Sequence, residues 1–258
     1  MNAPKATQEA LIDLYARELR LPGLRKAYRE LARDAAHSGQ DHLAFLAACL
    51  TAEVESRRQS RLTHRLQQAR FPAFKTLDAF DFTAIPDLPK ARVLQLADAG
   101  FVKARENVIC LGPTGTGKTH TAIALGMAAI QAGCRVRFTS AVALGQELLQ
   151  AQAEARLPKA LKAWDRFDLV ILDELGYLGL GPGGPLLFQF CAHRYERGSL
   201  LITTNLEFSR WVEVFGDPTL TAALLDRLTH RSHVLVFNGE SYRFRESQQR
   251  LRKEGAAS

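Results

Sequence analysis

Two short stretches carry residue types whose spacing could do chemistry on a phosphorylated substrate. The first is Gly112-Pro113-Thr114-Gly115-Thr116-Gly117-Lys118-Thr119, which follows the apolar run Val108–Leu111 and precedes Ala122, Ile123, Leu125 and Ala128 at helical spacing. Strand, glycine-rich turn and helix in that order give a G-x-x-x-x-G-K-[ST] match a mechanism. The glycines allow positive φ and close backbone approach, so successive N–H groups can face a phosphate, and the helix dipole adds to that field. Lys118 then reaches the β- and γ-phosphates, and the Thr119 hydroxyl holds Mg²⁺. The second stretch is Leu169-Val170-Ile171-Leu172 ending in Asp173-Glu174, about 55 residues further on. Carboxylates at the C-terminal end of a parallel strand emerge beside a nucleotide site. There Asp173 would orient Mg²⁺ through its water shell, and Glu174 would polarise a water for attack on the γ-phosphate. A carboxylate that activates water favours hydrolysis over transfer to a small-molecule acceptor.

Two later residues could join them. Asn205 ends the run Leu200-Leu201-Ile202-Thr203-Thr204 and could hold the same water or the γ-phosphate; a strand-terminal Asn is also an ordinary turn residue. Arg227, in the last helical pattern, could supply a planar cationic fork to a γ-phosphate, or simply sit in a helix-surface ion pair beside Asp226.

The elements that must position these residues alternate from residue 90 onwards, as in a doubly wound parallel sheet. Strands are expected at 108–111, 135–139, 169–172, 200–204 and 234–237. Helices are expected at about 90–99, from the phosphate loop to Gly133, 141–153, 158–164, from the glycine-rich loop at 176–184 through Tyr195, 208–215 and 218–230. Residues 71–89 carry Phe71, Phe74, Phe80 and Phe82 and read as an ordered linker, with Phe80 and Phe82 as candidates to line a base pocket. Residues 1–70 read as a small helical domain. Its apolar stripes are Leu11, Leu14, Tyr15 and Leu19; then Leu24, Ala27, Tyr28 and Leu31; then Leu43, Leu46, Leu50 and Val54 behind an Asp41 cap. The three stripes are expected to bury a common core.

Composition bounds the rest. The chain has 258 residues, 47% of them hydrophobic and 24% charged, as in globular domains. No apolar run is long enough to span a membrane, the first residues lack a signal-peptide core, and the four cysteines are too scattered for a disulfide framework or a zinc site. A cytoplasmic protein is expected, with Cys110 and Cys191 as buried thiols. The net charge is +7, and residues 1–75 hold 13 Lys/Arg against 8 Asp/Glu. Arg57, Arg61 and Arg65 recur every four residues beside Arg58, on a stretch without acidic residues from 56 to 77. That face is either simply solvated or a ridge that tracks the phosphates of a nucleic-acid backbone without reading its sequence.

Taken together, these motifs resemble those of the AAA+ ATPases and, more narrowly, the IstB transposition helper ATPases, relatives of the DnaC-type helicase loaders. The resemblance covers about residues 8–246. It rests on Leu21-Pro22-Gly23, Gly115–His120, Leu172–Tyr177, Arg194–Ser199, Thr203-Thr204-Asn205, Trp211, Val214–Asp217, Leu225–Leu228 and Gly239–Arg243. It implies an α/β fold: a five-stranded parallel AAA+ sheet in 90–258, preceded by the helical domain. The 21 residues after Phe237 depart from the general AAA+ pattern, being too few for the usual helical lid, which is expected to be reduced or absent. It implies that Gly112 to His120 bind ATP with Lys118 and Thr119 as the Walker A pair, and that Asp173 and Glu174 are the Walker B pair. Asn205 would be the first sensor, Arg227 an arginine finger acting on a neighbouring subunit, and Arg243 the second sensor. The implied partners are double-stranded DNA, further copies of the chain assembled with ATP, and a transposase. Two other readings stand beside this one: a replicative helicase loader whose N-terminal helices grip a helicase, and a small-molecule kinase.

Overall fold

A five-stranded parallel sheet of order β2-β3-β4-β1-β5 is the centre of the computed structural model, which describes residues 5–177, 181–239, 241 and 242. The strands are β1 (Asn107–Leu111), β2 (Val136–Ser140), β3 (Leu169–Leu175), β4 (Ser199–Thr204) and β5 (Ser232–Val236). The chain divides into two units, Met1–His64 and Arg65–Ser258. The segment expected to be a linker, 71–89, thus belongs to the second unit.

In the first unit α1 (Lys5–Glu18) and α2 (Pro22–Ser38) precede α3 (His42–Ala69), within which the division falls. Asp41 caps α3, its carboxylate accepting from the Ala44 amide at 2.8 Å. The start of α2 is different. Pro22 suits the first helical position, but Leu21 before it has no side-chain acceptor for the next amides. Glu53 on α3 supplies one, accepting from Gly23 N at 2.7 Å and Leu24 N at 3.1 Å while its other oxygen accepts from Arg57 Nε at 2.7 Å. This approach requires glycine at 23, where a Cβ would stand 2.5 Å from Ser56 Cβ and 2.7 Å from Ala52 O.

That contact overturns the expected core. It turns Cys49 and Glu53 inward, and Leu50 and Val54, one residue on, lie about 100° further round the helix. Leu43, Leu46, Leu50 and Val54 are all exposed, as are Leu11, Leu14, Tyr15 and Leu19. Of the α2 stripe, only Tyr28 is fully buried.

In the second unit, α4 (Lys90–Leu96) and α5 (Gly100–Lys103) lead into β1. The crossovers are α6 (Lys118–Gln131), α7 (Ala141–Ala153) with α8 (Leu157–Ala163), α9 (Gly183–Arg194), and α10 (Val212–Phe215) with α11 (Pro218–His230). Val108, Ile109, Leu169, Val170, Ile171, Leu172, Leu201 and Ile202 are fully buried, as strands covered on both faces must be. Cys110 and Cys191 are buried too, and burial pushes both thiols up to about 12, leaving them unreactive at neutral pH. At the base of the sheet the fully buried Arg194 donates to the carbonyls of Trp164, Phe167, Asp168 and Ser199 at 2.9–3.4 Å. Burial lowers its pKa to about 10, so it stays charged. Arg105 and Arg231 line a cavity of about 180 Å³ with it, beside the ends of α9 and α11. Arg105 donates to Glu196 O, in the turn after α9, at 2.6 Å. Among the described residues no helix is long and apolar enough to cross a membrane.

The Glu53 cap is testable. Burial alone would raise its pKa, but the bonds from Arg57, Leu24 and Gly23 outweigh burial and hold it below the usual 4.5. Its contribution is therefore complete above the carboxylate range and is lost as pH falls through the lowered value. Glu53→Ala leaves two amides unsatisfied and is expected to cost about 2–3 kcal/mol. The loss is to be read as a lower urea midpoint and faster hydrogen exchange in α2, with the difference from wild type shrinking in acid.

Candidate functional site

In this strand order the C-terminal ends of β3, β4 and β1 lie side by side, and the sequence motifs follow those three ends. The phosphate loop leaves β1 wedged between its neighbours, with Gly112 N donating to Thr204 O at 3.2 Å and Phe237 N donating to Leu111 O at 2.7 Å. Gly115 and Gly117 have φ of +82° and +90°, the region that favours glycine. Lys118 is nearly buried, and its ammonium donates to the carbonyls of Gly112 at 2.7 Å and Pro113 at 2.6 Å, inside its own loop.

The acid pair occupies a β-bulge. Leu172 pairs with Ile202 and Leu175 with Thr204, so Asp173 and Glu174 together stand opposite the single residue Thr203. In a regular strand two successive side chains would point to opposite faces; the bulge re-aims them. Glu174 pays for this with φ of +60°, an uncommon value for a non-glycine residue. Asp173, 6% exposed, accepts from Thr119 Oγ1 at 3.0 Å and from Thr203 Oγ1 at 2.5 Å. The Glu174 amide donates to Thr203 Oγ1 at 2.9 Å.

A cleft of about 680 Å³ opens over these groups. Residues 114–120 form its floor, with Glu174, Tyr177, Thr203 and Thr204 on one side and residues of 72–85 on another. Of the expected phosphate-binding segment, Thr114 to His120 line the cleft, whereas Gly112 and Pro113 lie behind it as acceptors for Lys118. Phe80 stacks edge-on against His120 with centroids 5.3 Å apart, and His120 Nε2 lies 2.8 Å from Thr76 O. Phe74 and Phe80 line the cleft; Phe82 does not, but packs against Phe80 at 4.8 Å. Phe71 instead meets Phe138 of β2 at 6.3 Å.

Three residues at this site were not predicted from the sequence. Thr203 spans both acids, the Tyr177 hydroxyl is hydrogen-bonded to the Thr114 hydroxyl, and Tyr242 N donates to Gly115 O at 3.0 Å. Thr203 and Tyr177 each flank a motif in sequence, but their roles depend on cross-strand register and loop closure. Other expected residues lie elsewhere. Asn205 is exposed just past β4 and does not line the cleft. Arg227 is exposed on α11 and forms no ion pair with Asp226 or any other described residue. Arg243 falls outside the described residues, as does most of the segment where a lid would stand. Along α3, Arg57 is held by Glu53 and by Arg20 O at 2.8 Å, Arg58 pairs with Glu55 at 2.9 Å, and Arg61 is exposed. Arg65, half-buried, belongs to the second unit.

A parallel 2-3-4-1-5 sheet, a phosphate loop after β1 and an acid pair ending β3 define a phosphate-loop ATPase of AAA+ architecture. Residues 14–250 match the family described as IstB-like ATP binding protein. The protein named as the ATP-binding protein of insertion sequence IS21 from Pseudomonas aeruginosa is 41% identical over 91% of this chain and 89% of its own. That of insertion sequence IS5376 from Geobacillus stearothermophilus is 37% identical over 93% and 95%. The fold is also similar to DnaA from Aquifex aeolicus, with a TM-score of 0.54 and 19% identity over 71% of this chain and 56% of that one. The chain belongs to the IstB-like ATP-binding family and is an ATPase whose relatives are encoded by insertion sequences.

Gly117 offers a direct test of the loop. A Cβ there would stand 2.6 Å from Phe80 Cε2, on a backbone already at φ +90°. Gly117→Ala is expected to weaken ATP binding by about tenfold or more, measured by titration with a fluorescent ATP analogue, and to lower the melting temperature by a few degrees, because the same strain is present without nucleotide.

Proposed function

We propose that this chain is the ATPase partner of an insertion-element transposase: it assembles on double-stranded DNA with ATP and helps select and deliver the target DNA. ATP hydrolysis then acts as the switch that ends the assembly's grip. The observation that carries the reading is the bulge, which puts Glu174 on the cleft wall while Asp173 stays tied to Thr119. The relatives' naming after insertion sequences favours transposition over helicase loading.

In this reading the backbone amides of 114–119 bind the phosphates, and Lys118 turns its ammonium from the loop carbonyls towards the β- and γ-oxygens. Thr119 and Asp173 offer oxygens 3.0 Å apart, a donor pair that suits Mg²⁺ completed by water and phosphate oxygens. When bound, the ion would neutralise charge on the β- and γ-phosphates. Glu174 orients a water and takes its proton. Phe80 and Phe74 cover the nucleotide from residues 72–85. Asn205 reaches the γ-phosphate only if the β4 end shifts towards the cleft, and Arg243 is assigned the second-sensor role.

Arg227 is assigned to a neighbouring subunit's ATP. It is exposed, on a different element from those lining the cleft, and has no ion-pair partner among the described residues. DNA contact is assigned to the basic stretch of α3. Arg61 and Arg65 serve as phosphate contacts, with Arg58 joining them once its exposed pair with Glu55 opens. Arg57, bound to the buried Glu53, serves mainly to order that stretch.

Shared sites predict complementation. Arg227→Ala and Lys118→Ala proteins, each expected to lose at least about 100-fold in ATPase rate, should regain a measurable fraction when mixed, greatest near equal amounts. No recovery at any ratio would remove the intersubunit role of Arg227.

A further inference from the structure

Through its hydroxyl Thr203 is bonded to both acids, to the amide of Glu174 and to the carboxylate of Asp173. It is 1% exposed, borders the cleft, and faces Asp173 and Glu174 across the bulge. A hydroxyl has one proton and two lone pairs. Thr203 Oγ1 accepts from the Glu174 amide, so its proton goes to Asp173 Oδ1. The direction of both bonds is thereby fixed. On the Asp173 side the bond leaves Oδ2, 3.3 Å from Thr119 Oγ1, as the less engaged oxygen. On the Glu174 side it restrains a residue in left-handed backbone, a conformation that persists only where its surroundings over-determine it. A backbone bond that closes this turn is long, Tyr177 N donating to Glu174 O at 3.4 Å.

We propose that Thr203 is a positioning residue for ATP hydrolysis: through one hydroxyl it separates the two neighbouring carboxylates into a metal-facing one and a water-facing one. Without that hydroxyl, Glu174 can relax towards ordinary strand geometry, which would turn its carboxylate away from the cleft, and Asp173 loses the partner that orients its plane. Its hydroxyl proton goes to Asp173 and its lone pair to the Glu174 amide, so the proposed role is exerted through the two acids. The inference rests on the hydrolytic reading above.

The test compares Thr203→Val, nearly isosteric but without the hydroxyl, with Thr203→Ser, which keeps it. Thr203→Val is expected to lower kcat by about 10- to 100-fold, the effect of removing one hydrogen bond to a charged group at the reacting centre. KM and the affinity for a fluorescent ATP analogue should stay within about threefold, and Thr203→Ser should restore kcat to within about threefold of wild type. If valine does not fit, Thr203→Ala removes the same hydroxyl with less bulk. An unchanged kcat in the hydroxyl-free variant would overturn the proposal. So would a loss in which affinity and melting temperature fall together with kcat and serine restores nothing, because that is a packing role. Wild-type protein that releases no phosphate from ATP would instead overturn the hydrolytic reading, so the two failures are distinguishable.

Discussion

Strands β1 and β3 never touch, because β4 lies between them. The phosphate loop grows from one and the acid pair from the other, so any chemistry between them must be set across an intervening strand. Two devices close that gap. Thr119 at the start of α6 reaches over β4 to Asp173, and the bulge at Asp173-Glu174 lets one β4 residue hold both acids. The rest of the domain keeps these ends in register: apolar strands buried on both faces, and a buried arginine bonded to four carbonyls at the sheet's other end. A shift of one residue between β3 and β4 would break both devices, which is why a well-packed core matters to the site.

The segment at 71–89 has a similar dependence. Its aromatic residues look like those of a hydrophobic linker, but Phe80 stands over Gly117 and His120, and Phe71 is anchored on β2. The segment therefore walls the cleft instead of merely leading to it. With Tyr177 and Tyr242 contacting the loop from other elements, the loop is fastened to parts of the chain far apart in sequence. Those attachments give a route by which nucleotide binding could be felt elsewhere.

What could be read from the sequence follows from the range of the interactions involved. The strands, the phosphate loop and the acid pair are written in short apolar runs and fixed local spacings. Each appears within a residue or two of its expected place except the end of β3, which runs three residues further through the bulge. The bulge is not local: nothing in Leu-Asp-Glu-Leu says that Thr203 faces two residues instead of one. The helical unit departs from its apolar pattern for a related reason. Periodicity shows that Leu43, Leu46, Leu50 and Val54 share a face, but not that a neighbour covers it, and the α2–α3 contact is made instead through Gly23 and a carboxylate 30 residues away. Arg57, which the spacing places on the basic ridge, is also the partner of that carboxylate.

The cleft is built to hydrolyse ATP with water as the acceptor, and on the proposed function double-stranded DNA governs the rate. The most direct measurement is phosphate release from ATP and Mg²⁺ by the full chain, without any added acceptor, across a titration of double-stranded DNA of unrelated sequences. Steady release of ADP and phosphate that changes saturably with DNA is expected. Release that requires a small-molecule acceptor, or a rate indifferent to DNA at every concentration, would contradict this reading.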